Sequence, residues 1–310
     1  MIEIKNLTKK YGSFTALKGL NLSIKQGIVF GFVGPNGAGK STTFSILATL
    51  LAPTSGEAYV DGVSVIDNPK EIRSKIGYMP DFFGVYDQFK VHEYLDFYGA
   101  SYRIGKQERQ QLMTQLLDLV DLSDKRDTYV DSLSRGMKQR LCLARSLIHD
   151  PQVLILDEPA SGLDPRARIE MREIIKELKS MDKTILISSH ILPELAEMCD
   201  EIGVIENGEL AVHGSVREIQ QALQADKILI VTLHAKVEEA IRFFEDNPHV
   251  SNLVRDNVEP NTIHFGFAGT DEEQVKLLGE AIQTGLPILN FQQRITDLED
   301  VFLEITKGGV

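Results

Sequence analysis

Between an apolar run at residues 28–33 and a helical pattern at residues 42–51 lies Gly34-Pro35-Asn36-Gly37-Ala38-Gly39-Lys40-Ser41-Thr42. Its three glycines let the backbone turn N–H groups inward around phosphate oxygens, and the helix that follows points its positive dipole end at them. Lys40 is placed to reach the β- and γ-phosphates of a nucleotide, and the Ser41 hydroxyl to bind Mg²⁺. A glycine-rich turn that only began a helix would not need a lysine and two hydroxyls at its end. The pattern therefore predicts a phosphate-binding loop.

Length, hydrophobic content and net charge limit the classes of protein to which this chain can belong. The chain has 310 residues, 43% of them hydrophobic, and a formal net charge of −12. This length suits about two domains with a packed core each. Proteins that bind nucleic acid neutralise phosphates with clustered Lys and Arg, so an acidic chain argues against a nucleic-acid partner. No apolar stretch reaches the roughly 18 residues of a membrane-spanning helix, and residues 1–10 alternate like a strand. We therefore expect a cytoplasmic protein without a signal peptide.

Two kinds of strand pattern indicate the sheet architecture. Residues 2–8, 17–24 and 56–65 alternate apolar and polar side chains, as antiparallel strands with one solvated face do. Residues 153–156 and 184–187 are continuous apolar runs, which is typical of parallel strands buried on both faces. The sequence thus predicts an α/β protein whose core is a mixed sheet with parallel strands at its centre.

The middle of the chain is predicted to be mostly helical. Apolar residues recur at three- and four-residue spacing over 91–100, 106–122 and 134–149, which places a helical subdomain at about 82–150. Glu206-Asn207-Gly208 is a hairpin signal between two short apolar runs.

A second domain is expected after a last helix at 216–223. Residues 224–226 are the predicted boundary, which gives domains at 1–225 and 226–310. From residue 227 the order of patterns is βαββαβ, which fits a small ferredoxin-like domain. This part carries 7 Lys and Arg against 14 Asp and Glu and has no catalytic constellation. We interpret it as a regulatory or assembly module.

Two acidic residues end the buried strand at 153–156. Carboxylates at the C-terminal ends of parallel strands open into the crevice where α/β proteins bind ligands, so Asp157 is placed to hold Mg²⁺ through water, opposite Ser41. Glu158 can then orient and deprotonate an attacking water. Strand termination alone would explain one carboxylate but poorly explains two beside a phosphate loop. The pair predicts ATP hydrolysis with Mg²⁺.

Further motifs carry a family resemblance. Leu133-Ser134-Arg135-Gly136-Met137, followed by Lys138-Gln139-Arg140, resembles the signature motif of ABC transporter ATPases, at the expected place between the phosphate loop and Asp157. Ser161-Gly162-Leu163-Asp164 resembles the loop that follows the catalytic glutamate in that family, and His190 after Ile187-Ser188-Ser189 resembles its switch histidine. A capped core histidine is the alternative for His190. Tyr11 matches the aromatic that stacks on adenine.

The resemblance runs from residue 2 to about 223 and implies a P-loop NTPase fold of ABC type with an antiparallel β subdomain. It implies that two subunits face each other head to tail, with each ATP between the phosphate loop of one and the signature of the other. Ser134 and Gly136 begin a helix, so their hydroxyl and amide are donors suited to a γ-phosphate. The expected nucleotide-binding residues are Tyr11, Gly34, Pro35, Asn36, Gly37, Ala38, Gly39, Lys40, Ser41, Thr42, Ser134, Arg135, Gly136, Met137 and Asp164; the metal ligands are Ser41, Asp157 and Asp81; the catalytic residues are Glu158 and His190.

Three positions depart from the commonest family pattern. Asp81 stands where a glutamine usually follows the strand, and a carboxylate can bind Mg²⁺ but cannot donate a hydrogen bond as an amide does. Arg135 replaces a glycine and Met137 a glutamine. Because a cation at a helix N-terminus opposes the dipole, Arg135 is expected either to extend into solvent or to meet a phosphate across the dimer.

The branch of the family is indicated by two segments. Residues 81–86 and 91–95 carry several aromatics, including Phe82 and Phe83, where ABC ATPases dock the cytoplasmic helix of a membrane subunit; the core of the helical subdomain is the alternative for Phe82 and Phe83. Residues 298–305 resemble the end of ATP-binding subunits of type-2 bacterial exporters of drugs, sodium or polysaccharide. The resemblance implies a homodimer on the inner face of the membrane under a separate permease. The alternatives are a soluble ABC ATPase acting on ribosomes or DNA, and a catalytically inactive regulatory subunit.

Overall fold

The computed structural model describes residues 1–82, 84, 88–191, 195–216, 218–219, 227–256 and 258–294. The chain divides into two compact units, Met1–Val216 and Arg217–Val310. The predicted boundary at 224–226, the tail at 298–305 and most of the predicted helix at 216–223 lie outside the described residues, as does Phe83.

The first unit contains two sheets and a group of helices. Its strands are β1 (Ile2–Tyr11), β2 (Phe14–Ile24), β3 (Val29–Val33), β4 (Ser55–Val60), β5 (Val63–Ser64), β6 (Ile76–Met79), β7 (Val153–Leu156), β8 (Thr184–Ser189), β9 (Glu201–Glu206) and β10 (Glu209–Ser215). Its helices are α1 (Lys40–Leu47), α2 (Pro69–Lys75), α3 (Val91–Ser101), α4 (Lys106–Leu119), α5 (Arg135–Leu147) and α6 (Pro165–Ser180).

The six-stranded sheet runs in the order β10-β9-β3-β8-β7-β6. Strands β9, β3, β8, β7 and β6 are parallel, and β10 pairs antiparallel with β9 through the predicted hairpin. Every residue of β3, β7 and β8 is buried, as continuous apolar runs predict. Because parallel strands end at one edge, the residues that follow β3, β7 and β8 meet there.

The antiparallel sheet, β2-β1-β4-β5, packs its apolar face onto this frame. Ile2, Ile4 and Leu7 of β1 are buried with Phe32 and Phe44 in one core cluster. The apolar residues of the alternating pattern thus face that core, and the polar residues between them face solvent.

The helical subdomain is formed by α3, α4 and α5. Two helices are shorter than the apolar spacing predicts: α4 ends at Leu119 and α5 at Leu147. Each is followed by an aspartate with positive φ, Asp121 at 51° and Asp150 at 51°, a conformation that ends a helix. Pro151 further disfavours helical backbone at residue 150.

The second unit contains β11 (Lys227–Leu233), α7 (Val237–Glu245), β12 (Val250–Arg255), β13 (Thr262–Phe267), α8 (Asp271–Gln283) and β14 (Ile288–Arg294). Its sheet has the order β12-β13-β11-β14. The βαββαβ order and this strand order are those of the predicted ferredoxin-like domain. It has its own core, which includes Leu229, Val231, Phe244 and Phe265.

Within the described residues, no helix combines the length and the apolar character that crossing a membrane requires.

Candidate active site

The phosphate loop connects β3 to α1 and closes with two left-handed glycines. Gly37 has φ 84° and Gly39 has φ 114°, values that a residue with a Cβ seldom adopts. Gly39 is the N-cap of α1, which leaves the amides of the first turn of α1 without partners in the helix. A row of free N–H groups at a helix start suits an anion.

Hydrogen bonds with the hairpin between β9 and β10 fix the position of this loop. The Gly208 amide donates to the carbonyl of Ala38 at 3.0 Å, and the Gly208 carbonyl accepts from the amide of Lys18 in β2 at 2.9 Å. A Cβ on Gly34 would lie 2.3 Å from the carbonyl oxygen of Ile205, so only glycine allows this approach. The loop is therefore fixed by two neighbouring strands as well as by its own turn.

Lys40 lies buried at the start of α1, with 6% of its surface exposed. Its Nζ donates to the carbonyls of Gly34 at 2.6 Å and Pro35 at 3.3 Å, and lies 3.7 Å from Oε1 of Glu158. Burial lowers the pKa of Lys40, and the charge of Glu158 opposes that shift. The ammonium group is thus directed into the loop by backbone carbonyls.

The two acids that follow β7 share a hydroxyl. Oγ of Ser188 in β8 donates to Oδ1 of Asp157 at 2.5 Å, and this Ser188 oxygen accepts from the backbone amide of Glu158 at 2.8 Å. Asp157 is 2% exposed, and burial raises the pKa of its carboxyl, an effect that the neighbouring Ser188 and Ser41 hydroxyls oppose. A buried carboxylate of this kind gains from a nearby cation.

Glu158 is held at both carboxylate oxygens. Oε2 lies 2.9 Å from Nδ1 of His190, and Oε1 faces Lys40. The Glu158 backbone has φ 50°, a left-handed conformation that is uncommon for a residue other than glycine. Such backbone is found where the surrounding structure imposes it, often at active sites. His190 is 47% exposed in its side chain, so it is not the capped core histidine of the alternative interpretation.

A cavity of about 220 Å³ opens over the loop. Its lining combines residues from four parts of the first unit: Tyr11, Phe14, Ala16, Pro35, Asn36, Gly37, Gly39, Lys40, Ser41, Thr42, Asp81 and Glu158. Tyr11 is 48% exposed and Phe14 60% exposed, so an aromatic wall is available for a flat ring. The structure thus brings together the predicted loop residues, Tyr11, Asp81 and Glu158.

The signature residues lie elsewhere in the same unit and do not line that cavity. Ser134 is the N-cap of α5, where its Oγ accepts from the amide of Met137 at 3.3 Å, which leaves its O–H free to donate. Asp164 is the N-cap of α6, with Oδ1 accepting from the amide of Ala167 at 2.9 Å. Arg135 is exposed, and in the single chain its Nη2 donates to the carbonyl of Ser161 at 3.2 Å, a contact that the sequence did not predict.

Two residues of the site were not predicted in these roles. Phe14 lies beside Tyr11 in the cavity wall, and Ser188 connects the acids. Ser188 had a usable signal, because a hydroxyl at the buried end of β8 needs a hydrogen-bond partner. Phe14 had none, because an aromatic beside a turn is usually part of a core.

The donor set fits Mg²⁺ and a polyphosphate. Ser41, Asp157 and Asp81 supply oxygen atoms, which Mg²⁺ prefers. Among the described residues, no three His, Cys, Asp or Glu side chains form a cluster that would hold a metal by themselves. The first turn of α1 and Lys40 provide the donors for those phosphates.

This sheet, loop and acidic pair define a P-loop nucleotide-binding protein. Residues 17–161 match the ABC transporter family, and residues 214–306 match the C-terminal domain of ATP-binding proteins of the DrrA1-3 type. The chain belongs to the ABC transporter ATP-binding proteins, the ATP-hydrolysing subunits that energise a membrane permease. The predicted family and fold class are thereby confirmed.

Relatives of similar length align over almost the whole chain. The linearmycin resistance ATP-binding protein LnrL of Bacillus subtilis is 32% identical over 99% of this chain and 98% of its own. The Nod factor export ATP-binding protein I of Rhizobium meliloti is 36% identical over 98% of this chain and 88% of its own. An uncharacterized ABC transporter ATP-binding protein of Synechocystis is 40% identical over 95% and 80%.

Solved structures match the first unit. A dimeric post-hydrolysis state of an ATP-binding cassette bound to ADP and Pi is 28% identical, with a TM-score of 0.64, over 70% of this chain and 99% of its own. An ATP-binding subunit of another ABC transporter is 28% identical, with a TM-score of 0.66, over 72% and 93%.

Proposed function

We propose that this chain hydrolyses ATP with Glu158 as the general base. The observation that carries the proposal is the position of the Glu158 carboxylate at the edge of the phosphate-loop cavity, between Lys40 and His190. From there it can accept the proton of a water that attacks the γ-phosphorus. His190 keeps the carboxylate oriented, and Lys40 stabilises charge on the phosphate oxygens.

Mg²⁺ would be held by Ser41, by Asp157 through water, and by Asp81. Bound with ATP, the ion neutralises charge on the β- and γ-phosphates. The buried position of Asp157 supports this role, because the cation would compensate a carboxylate that burial otherwise disfavours. Tyr11 and Phe14 would stack on the adenine.

The working form would be a head-to-tail pair of chains. The Ser134 hydroxyl and the Gly136 amide are free donors at the start of α5, yet neither residue lines the cavity of its own chain. They would therefore complete the phosphate cage of a second subunit, which a single chain leaves open. The dimeric ATP-binding cassettes of similar fold support this arrangement.

The pair would act at the inner face of the cell membrane, bound to a separately encoded permease. Phe82, which is 90% exposed, is a suitable anchor for such a contact. Relatives named for linearmycin resistance and Nod factor export, and a C-terminal domain of the DrrA type, favour an exporter. The soluble alternative on ribosomes or DNA has no comparable support.

The test is the substitution Glu158→Gln, which keeps the size of the side chain and removes the base. We expect ATP binding to persist while kcat falls by about 10²-fold or more, and the variant to accumulate as an ATP-bound dimer on size-exclusion chromatography. Glu173→Gln, on the exposed face of α6, is the matched control and should hydrolyse normally. Turnover at the wild-type rate in Glu158→Gln would remove this residue from the role.

A further inference from the structure

The side chain of Arg135, the first residue of α5, packs on the loop that contains Ser161 and Gly162. A Cβ added to Gly162 would lie 2.5 Å from Cζ of Arg135, so the guanidinium covers that glycine. Nη2 also donates to the carbonyl of Ser161 at 3.2 Å. Gly162 has φ 66° and no side chain, and both properties leave room for the cation. A cation that the helix dipole disfavours is thus held by contacts with the loop that follows Glu158.

The Ser161 carbonyl receives a second donor from the same helix. Nε2 of Gln139, a residue that is 2% exposed, donates to it at 3.2 Å. The Ser161 amide in turn donates to the carbonyl of Glu158 at 3.0 Å and closes a turn between the two residues. Helix α5 therefore holds Ser161, the last residue of the turn that begins at Glu158, through two hydrogen bonds.

That turn needs external support because Glu158 is in a left-handed conformation, with φ 50°. A non-glycine residue in this conformation costs about 1–3 kcal/mol and persists only where neighbouring contacts impose it. The carboxylate of Glu158 also has to face both Lys40 and His190. A shift of the turn would therefore move the carboxylate away from its position over the phosphate loop.

We infer that Arg135 is a positioning residue for hydrolysis, which fastens the turn from Glu158 to Ser161 to the start of α5. The inference rests on the proposed role of Glu158 as the base. Arg135 does not line the nucleotide cavity of its own chain, so its loss should slow the chemical step and leave nucleotide affinity unchanged. If Arg135 instead bound a phosphate across a dimer, its loss would weaken affinity.

The experiment compares two substitutions in the full chain, with steady-state ATP hydrolysis as the readout. Arg135→Met keeps the length of the stem and removes the donor, and Arg135→Lys keeps a donor that can reach Ser161. We expect Arg135→Met to lower kcat about three- to tenfold with KM for Mg–ATP within about twofold of wild type, and Arg135→Lys to restore most of the rate. Because Arg135 is exposed, neither change leaves a buried cavity.

Gly162→Ala tests the same contact from the other side, since its methyl group would occupy the position of the Arg135 guanidinium. The double variant with both Gly162→Ala and Arg135→Met should hydrolyse ATP at no less than about half the rate of Gly162→Ala alone, because two changes that break one contact are not additive. The control is Lys176→Ala, which removes a cation from an exposed ion pair with Glu173 on α6 and should keep the wild-type rate.

Two results would overturn the inference: an unchanged kcat in Arg135→Met, or a KM for Mg–ATP that rises beyond about twofold. Measuring Glu158→Gln alongside separates the two claims. A Glu158→Gln variant that turns over normally contradicts the proposed base, whereas a stalled Glu158→Gln variant beside a full-rate Arg135→Met variant contradicts only the role of Arg135.

Discussion

The hydroxyl of Ser188 makes hydrogen bonds with two groups of the site, the carboxylate of Asp157 and the backbone amide of Glu158. Its O–H is donated to Asp157, and its oxygen lone pair accepts the amide of Glu158. Asp157 and Ser188 are both buried, so neither can exchange this contact for water. The spacing of the two acids and the orientation of the turn that begins at Glu158 therefore depend on one side chain.

We expect Ser188→Ala to lower kcat about tenfold and the free energy of unfolding by about 1–3 kcal/mol, because a buried amide and a buried carboxylate each lose a partner. Phosphate release and urea unfolding would measure the two effects. Ser189→Ala is the control: its hydroxyl accepts the amide of Ile191, so we expect a smaller loss of stability and a normal kcat. A normal kcat in Ser188→Ala would show that the acids hold their positions without it.

At this scale the sequence predicted a residue for each chemical role, but not the contacts that each side chain makes. The phosphate loop, Asp157 and Glu158 follow from residue types in a fixed order, because each chemical role needs a particular group. The contact of the Arg135 guanidinium with Gly162 was not predicted from the sequence. That contact depends on the space beside a glycine 27 positions further along the chain, which no local pattern contains.

At the scale of elements, the end of α5 is fastened to the edge strand of the central sheet. Nε2 of His149 donates to the carbonyl of Ile76, the first residue of β6, at 2.9 Å. The imidazole ring stacks on Tyr102, with centroids 3.9 Å apart and planes at 4°. Nδ1 is buried and has no hydrogen-bond partner among the described residues. This arrangement accommodates a neutral imidazole and disfavours a charged one.

The pH dependence of stability should report this histidine. Burial lowers the pKa of His149 in the folded chain below 6.5, its ordinary value, which the unfolded chain keeps. Above 6.5 both states are neutral; as pH falls from 6.5 towards the folded pKa, only the unfolded state takes up the proton, so stability is lost. We expect Tm to fall over this window in the wild type and to fall less steeply in His149→Gln, whose amide can still donate to Ile76.

His92, on α3, supplies the control for that measurement. It is a partly exposed histidine beside Asp127, and His92→Gln should leave the extra loss of Tm in place. Equal slopes for wild type and His149→Gln between pH 7.5 and 5.5 would contradict the assignment.

Most elements were predictable because their patterns are local. Alternation fixed β1 and β2, and continuous apolar runs fixed β7 and β8. The ends of α4 and α5 were predicted too late, because apolar spacing continues past the last helical residue while the aspartates at 121 and 150 turn the backbone. A single left-handed residue leaves no trace in hydrophobic periodicity.

At the scale of the molecule, the two units have separate cores. The predicted nucleotide-binding and catalytic residues all lie within Met1–Val216, and the second unit buries its own cluster around Phe244 and Phe265. Sequence patterns predicted two domains with a boundary at 224–226, whereas the division into compact units falls between Val216 and Arg217. They could not give the order of strands in the central sheet, where β3 lies between β8 and β9, because neighbours in a sheet are chosen by tertiary contacts.

We expect a shortened chain that ends at Ala225 to unfold in one cooperative thermal transition, to bind ATP, and to hydrolyse it at a measurable basal rate. The reason is that no predicted nucleotide ligand follows residue 190. Loss of the second domain should instead weaken dimerisation or the response to the permease. Scanning calorimetry and a phosphate-release assay would test this; a shortened chain that folds but neither binds nor hydrolyses ATP would show that the division of labour is wrong.

The hairpin turn at Gly208, bonded to Ala38 on one side and to Lys18 on the other, gives the phosphate loop its shape before any nucleotide arrives. Ordering a flexible backbone costs about 1–2 kcal/mol of conformational entropy per residue, and here that cost is met when the domain folds. ATP therefore binds a preorganised site, and its affinity is linked to the integrity of β9 and β10, which do not line the nucleotide cavity. Loosening β9 and β10 should let the amide hydrogens of the loop exchange faster and should weaken nucleotide binding, although every residue that contacts phosphate is unchanged.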